Sequence, residues 1–332
     1  MILLSLVGEQ PIPVLLVARA LKPQQHLLCF THTTERVAAN LASMLPGSKM
    51  QAIEPYDLSK AYSQIASLVT SDTILNLTGG TKPMAMAAYE AARSSKLPVV
   101  YLQSEGATTL LFRYDFKDGQ PHLSQPQELP ALITINDYLG AHGLQPLAYK
   151  GPQNPQEAGL RRWLEKQVDE CITNAVFDSF EIDFILRRGN QVAVMEAKMK
   201  AINTRQGIDQ LNTIAGRDYL GAYTGKIHVV ARPFGPQLSR LAEARHIHIV
   251  VLGGKLDHRT GRLLPDPNSK SNLLNTLNRL LGPHPKSKFQ NFSSHLFFLA
   301  WSRMACRLIT SATSYLTASP LLLGLNRRTG GK

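Results

Sequence analysis

Cysteine is scarce in this chain of 332 residues, aromatics make up only 7%, and acidic residues vanish from the last fifty positions. The three cysteines, Cys29, Cys171 and Cys306, stand far apart. That spacing neither holds a zinc ion nor builds a disulfide framework, so a reducing cytoplasm is the expected compartment. A long apolar run is also missing. Met1 to Val7 is too short and lacks a basic leader for a secretion signal, and Arg303, Arg307 and Pro320 interrupt the apolar end, so no membrane association is expected. Neither GxxxxGK[ST] nor GxGxxG occurs, and no ribose-binding acid follows twenty residues on, which places a nucleotide triphosphatase, an oxidoreductase or a methyltransferase behind other readings. From Pro283 onward there is no Asp or Glu, while seven Lys and Arg accumulate, so of the net charge of +12 the rest of the chain keeps about +5. A polyanionic partner suits that charge, but weakly outside the tail.

What is present is a globular composition, 44% hydrophobic and 18% charged, in a length that accommodates two domains. Strands are expected at Ile2 to Val7, His26 to Phe30, Lys49 to Ile53, Thr73 to Leu77 and Pro98 to Gln103. Helices fall between them, near Ile12 to Leu21, Thr34 to Leu45, Asp57 to Val69 and Pro83 to Ser95. Alternation of this kind predicts an α/β fold with a parallel sheet and ligands at the carboxyl ends of the strands. Thr108 to Phe116 reads as an antiparallel addition, Leu132 to Leu144 as a connecting unit, and the turn-rich Lys150 to Pro155 as a linker.

Two loops lie on the expected rim. Gly8, Glu9, Gln10 and Pro11 follow the first strand, and Thr78, Gly79, Gly80, Thr81 and Lys82 follow the fourth. Glycines permit close approach of backbone to ligand, and free N–H groups at a helix start attract anions. Thr78, Thr81 and Lys82 add hydroxyl and cationic donors. The alternative is a tight strand-to-helix turn with an ordinary cap. Tyr101 to Glu105 is a third rim candidate.

The second half carries the chemistry. Glu181-Ile-Asp183 and Glu196-Ala-Lys198 flank Gly189-Asn190, a dipeptide suited to a two-residue hairpin loop. Counting outward from that turn pairs Arg188 with Gln191 and Leu186 with Ala193, and puts Asp183 opposite Glu196. Opposed residues share a face, as do residues two apart, so Asp183, Glu196 and Lys198 converge. Two carboxylates and an ammonium on a rigid surface suit a divalent-metal phosphodiesterase site. A surface hairpin with cross-strand ion pairs would show the same residues. Around it, Glu157 to Cys171 is expected as a helix with Leu160, Trp163, Leu164, Gln167 and Val168 inward, and Thr204 to Ala215 as another. Lys226 to Ala231, Gln237 to Arg245 and Ile247 to Leu252 complete a mixed sheet. His246 and His248 alternate on the last strand without a third ligand and read as a solvent-facing edge.

These motifs resemble a known combination. Leu6-Val-Gly8-Glu9-Gln10-Pro11-Ile12-Pro13 and Leu77-Thr78-Gly79-Gly80-Thr81-Lys82-Pro83-Met84 are similar to the marks of a CRISPR-associated Rossmann fold (CARF) sensor domain, covering residues 1–140. Trp163-Leu-Glu165, Glu181-Ile-Asp183 and Glu196-Ala-Lys198 resemble the restriction-endonuclease-like PD-(D/E)XK domain fused to such sensors, here 156–282 after a connecting segment 141–155. Ile182 stands where the motif's name has proline. The tail, 283–332, continues no part of this resemblance.

The resemblance implies an ancillary nuclease of type III CRISPR antiviral defence. It implies a homodimer that binds a cyclic oligoadenylate, above all cyclic tetra-adenylate, through Gly8–Pro11 and Thr78–Lys82. Mg²⁺ or Mn²⁺ would sit on Asp183, Glu196 and the Ala197 carbonyl, with Lys198 on the attacking water or the phosphate. Glu165 would be the first acid of the site and Gln210 a polar accessory; an exposed Arg161–Glu165 pair and a solvated Gln210 are the plain alternatives. The implied substrate is single-stranded RNA or DNA, with nicking of duplex DNA as a further option. A nucleotide-sensing regulator that binds nucleic acid without cutting it is the alternative function.

Overall fold

The computed structural model describes residues 1–105, 108–198, 204–216, 219–257, 262–265 and 267–283; the basic tail after residue 283, with Cys306, lies outside them. Short apolar runs separated by amphipathic helices wind the first half into a sheet. In chain order come β1 (Ile2–Leu6), α1 (Ile12–Leu21), β2 (Gln25–Phe30), α2 (Glu35–Met44), β3 (Ser48–Ala52), α3 (Leu58–Ala66), β4 (Thr73–Asn76), α4 (Lys82–Ser95) and β5 (Val99–Glu105). β6 (Thr108–Lys117), β7 (Gln120–Leu123) and β8 (Gln127–Glu128) follow. The strand order is β3-β2-β1-β4-β5-β6-β7, with β8 beside β6. β1 to β5 are parallel, and β6 pairs antiparallel to β5 as its position predicts.

α5 (Ile135–Ala141), fixed by a capping box of Thr134 and Asp137, leads to the second sheet. Its elements are β9 (Ala148–Tyr149), α6 (Pro155–Leu164), β10 (Glu170–Val176), β11 (Glu181–Arg188), β12 (Gln191–Lys198), α7 (Thr204–Ile214), β13 (Gly225–Val230), α8 (Pro236–Ala244) and β14 (His248–Val251). A short pair, β15 (Gly254–Asp257) and β16 (Arg262–Pro265), and α9 (Pro267–Leu281) end the described chain. The order β14-β13-β12-β11-β10-β9 makes a mixed sheet, parallel from β12 to β14 and antiparallel from β12 to β9.

The expected helix Glu157 to Cys171 is a correction. α6 stops at Leu164, the chain turns through Glu165–Asp169, and Cys171 lies in β10 opposite Leu186. Sheet pairing to β11 outweighs the helical stripe, although Leu164 and Val168 are buried as that stripe requires. The hairpin register is as counted: Arg188 pairs with Gln191 and Leu186 with Ala193, and Gly189 takes φ 58° at the turn.

Met1–His284 form a single compact unit. A continuous buried cluster joins Leu3, Val14 and Leu15 of the first sheet and its helix to Ile185, Val194, Ile208 and Leu211 of the second. Polar ties cross the same junction. Asn190 at the hairpin turn accepts from Leu132 N at 2.8 Å and donates to Pro130 O at 2.9 Å. No helix among the described residues is long and apolar enough to cross a membrane.

Candidate functional site

The strand order reverses at β1: β2 and β3 lie on one side of it, β4 and β5 on the other. In an open parallel sheet that switch point opens a crevice beyond the strands' carboxyl ends. The loops leaving β1 and β4 are those of Gly8–Pro11 and Thr78–Lys82. They touch backbone to backbone. A Cβ at Gly79 would run into the Leu6 carbonyl oxygen, and one at Gly8 would lie 3.1 Å from Gly80 N. Gly80, at φ 74°, would bring its Cβ to 2.9 Å from that of Leu6. Side chains are excluded there, and main-chain groups form the floor.

The hydroxyls predicted as ligand donors already serve the fold. Thr78 Oγ1 donates to Asn76 Oδ1 at 2.7 Å and accepts from Leu102 N at 2.9 Å, tying the loop to β5. Thr81 Oγ1 donates to Pro55 O at 2.5 Å and accepts from Met84 N at 3.3 Å, so it is the cap of α4. α4 therefore opens at Lys82, one residue before the expected Pro83. Lys82 and Glu9 are exposed at this rim, and Gln10 is half-buried.

The second constellation sits at the open end of the β11–β12 hairpin. The paired ladder ends with Phe184 opposite Met195, one step before Asp183 and Glu196. Asp183 Oδ2 accepts from Ala197 N at 2.8 Å, which clamps the carboxylate to the neighbouring strand. Glu196 is 1% exposed. Its Oε1 lies 2.5 Å from Lys198 Nζ in an ion pair. Burial, and then the nearby Asp183 charge, push the Glu196 carboxyl up to about 7, against the pull of Lys198. Burial raises Asp183 as well, opposed by the Ala197 amide and by Lys198. Burial pulls the Lys198 ammonium down, but contact with Glu196, backed by Asp183 and Glu157, outweighs it and the net shift is upward. Two carboxylates that resist ionising together are short of positive charge.

The remaining predicted residues divide. Glu165 closes α6 in an exposed ion pair with Arg161 at 2.7 Å, the plain alternative foreseen for it. Gln210 Nε2 donates to Glu181 O at 2.8 Å, so it braces the start of β11. Glu157 was not singled out by sequence, yet its charge acts on both Asp183 and Lys198. It is held by Asn154 Nδ2 at 2.5 Å and by Asn174 Nδ2, from β10, at 3.1 Å. The signal was available: Asn154-Pro155-Gln156-Glu157 has the spacing of a helix cap with its acidic third residue. Glu181 adds a further negative charge and pairs with Lys150 at 3.1 Å.

Two neighbouring buried carboxylates, both pushed upward by burial, offer the hard oxygen donors that Mg²⁺ or Mn²⁺ takes. Among the described residues no three acids, histidines or cysteines are grouped to hold an ion by themselves. Asp183 and Glu196 with the Ala197 carbonyl would leave several positions to water and phosphate, which is how Mg²⁺ is usually held. His246 and His248 do not join this site; β14, which carries His248, is the edge strand.

A switch-point crevice on a wound sheet is thus joined to a mixed sheet that brings two buried carboxylates together. Residues 2–138 match the model of the Card1 CARF domain family, and this part of the chain is a CARF domain. No curated protein matches the chain. Among solved structures, Can2 from Sulfobacillus thermosulfidooxidans in complex with cyclic tetra-adenylate is similar over 84% of this chain and 99% of its own, at 15% identity and a TM-score of 0.64. Protein VC1899 from Vibrio cholerae is similar over 85% of this chain and 99% of its own, at 13% identity and a TM-score of 0.62. A type III CRISPR defence DNA nuclease activated by cyclic oligoadenylate is similar over 84% of this chain and 52% of its own, at 16% identity and a TM-score of 0.57. At these identities the likeness is one of fold, and it extends through both sheets.

Proposed function

We propose that the chain is a metal-dependent nuclease gated by a cyclic oligoadenylate in type III CRISPR defence. The observation that carries this is Glu196: a carboxylate 1% exposed, pushed up to about 7 by burial and by the Asp183 charge, in an ion pair with Lys198. A fold-only role would favour neutral side chains there, because burying like charges is costly. The CARF domain over residues 2–138 and the fold shared with Can2, which holds cyclic tetra-adenylate, support the activator class.

Asp183 and Glu196 would hold the cation with the Ala197 carbonyl, and Glu157, tethered by Asn154 and Asn174, adds negative charge nearby in place of Glu165. A divalent cation there supplies a lowered pKa for water and neutralises charge on the scissile phosphate. Lys198 places its ammonium against the phosphate oxygens, where charge grows in the transition state. Single-stranded RNA or DNA is the substrate class, and nicking of duplex DNA follows from the same chemistry. At the other end, backbone N–H groups of the two rim loops and Lys82 receive the activator's phosphates. A cyclic activator with twofold symmetry fits a dimer in which each subunit presents the same rim.

The test is Glu196→Gln. It keeps size and hydrogen-bonding capacity and removes the charge. Cleavage in Mn²⁺ should be lost, with binding of cyclic tetra-adenylate and the melting temperature retained. Wild-type cleavage by this variant would move the active site elsewhere. Tight nucleic-acid binding without cleavage by the unaltered protein would favour the regulator.

A further inference from the structure

The rim loop after β1 does not end in solvent. Gln10 lies directly against Gly221, in the loop that precedes β13. A Cβ on Gly221 would run into Gln10 Oε1 and lie 2.9 Å from His142 Cε1, and Gly221 itself adopts φ 81°. Both the left-handed backbone and the close contact favour a glycine there. Beside it, Glu9 and Pro11 of the rim, Asn40 of α2, His142 and Tyr219 enclose a gap of about 20 Å³, room for a single water. The loop is pinned from below as well. Tyr138 Oη, on α5, lies 3.1 Å from Leu220 O and 2.8 Å from Thr224 Oγ1, and Thr224 Oγ1 donates to Leu220 O at 2.6 Å. Tyr138 and Leu220 are buried, at 5% and 0% exposure.

The two ends of this loop lead straight to the carboxylates. Upstream is α7, which packs on β12 and β13 and braces Glu181 O through Gln210. Downstream is β13, whose His228 lies opposite Glu196 and whose Val230 lies opposite Lys198. His228 Nδ1 is 3.2 Å from Glu196 O. The Gln10 side chain is seated directly on the Gly221 backbone, so a displacement of the rim at Gln10 alters the packing of this loop. Close-packed contacts of this kind transmit displacement.

We propose that residues 219–224 are the positioning element through which an activator at the rim sets the alignment of β12, with Gln10 against Gly221 as the input and α7 and β13 as the outputs. Tyr138 is the fulcrum: its hydroxyl holds the loop to α5, so movement at Gly221 is passed along the loop. This rests on reading the rim as the activator site and the hairpin as the cutting site, and it adds the residues that join them.

The experiment uses the full-length protein, Mn²⁺ and cyclic tetra-adenylate, with Tyr138→Phe and Gly221→Ala. Tyr138→Phe removes one hydroxyl and leaves the ring in place. Hydrogen exchange, with and without activator, is followed at the amides of 219–230 alongside the ratio of activated to basal cleavage. In the wild type, activator should change exchange at 219–230. In Tyr138→Phe the activator should still bind to saturation, while the activation ratio falls at least tenfold and the exchange change at 225–230 shrinks. Gly221→Ala should lose activation further; if it fails to fold, Tyr138→Phe carries the test. A wild type that is activated while exchange at 219–230 stays unmoved, or a Tyr138→Phe with the wild-type ratio, overturns the relay and leaves the function standing. A wild type that neither binds nor responds to cyclic tetra-adenylate removes the function, and the relay with it.

Discussion

The rim of the first sheet and the hairpin end of the second are both candidate sites, and they are built on opposite principles. At the rim almost everything is main chain. Thr78 and Thr81 spend their hydroxyls on Asn76, Leu102, Pro55 and Met84, and Gly79 and Gly80 press against Leu6. At the hairpin the side chains carry charge that burial opposes: Glu196 is buried next to a second carboxylate, with Lys198 as its counter-charge. On the proposed function, the first surface would receive its ligand on backbone N–H groups and one exposed lysine, and a cation would complete the second. A site made of backbone is broken by adding atoms, and a site made of charges by removing them.

That contrast is sharpest at Asp183. Asp183→Asn removes one of two charges that would hold the cation, and cleavage should fall by roughly 10²–10³-fold or more, a loss of the size seen when preorganised electrostatic groups are deleted. Melting temperature should hold or rise, because burial already raises the Asp183 pKa and the neutral side chain is cheaper to bury. A large drop in stability would mean that the carboxylate serves the fold.

Gly79→Ala is the matching test at the rim. Its Cβ meets the Leu6 carbonyl, which belongs to a central strand and cannot yield. Destabilisation of about 1–3 kcal/mol by overpacking is expected, together with loss of activator binding. Calorimetry showing unchanged affinity would place the ligand away from this floor. Lys82→Ala should leave stability alone and cost about 1.5–3 kcal/mol of activator affinity per contact, read as a shifted activation midpoint with an unchanged maximal rate. Thr81→Ala separates the two roles further. Loss of the α4 cap costs about 1 kcal/mol of stability, so its effect on the activator is indirect.

A pH dependence of stability is expected from two buried histidines, His26 in β2 and His142 after α5. Burial holds His26 and His142 at about 4, so both are neutral in the folded protein at neutral pH. Unfolded, each takes up a proton below about 6.5. Stability should therefore decline as pH falls from about 6.5 towards 4, by at most roughly 2–3 kcal/mol per histidine, and their contribution should level off below. His142→Gln should flatten its share of that slope in thermal melts.

Most of the fold was legible because its signals are local. The alternation of strand and helix from β1 to β5 follows from apolar runs and turn residues, and α1 spans Ile12–Leu21 as its pattern predicts. The hairpin register could be counted from Gly189-Asn190 because pairing has a period of two. Where tertiary pairing decides, local pattern failed. Residues 165–171 carry a helical stripe but leave the helix, since β11 needs β10 as its partner. β9 and β10 give little sequence signal because they are fixed by neighbours distant in the chain. The same limit explains the acids. Glu165 lies on the predicted stripe's flank but turns to Arg161, whereas Glu157 comes towards Asp183 through its tether to Asn174, whose φ of 49° no sequence pattern announces.

The central claim is that the hairpin cuts and the rim permits it. Single-stranded RNA, single-stranded DNA and supercoiled plasmid incubated with the protein and Mn²⁺, with and without cyclic tetra-adenylate, test both halves at once. Cleavage of at least one of them should appear with activator, fall sharply without it, and stop on chelation of the metal. Equal cleavage in the presence and absence of cyclic tetra-adenylate, or cleavage that survives chelation, would contradict the account.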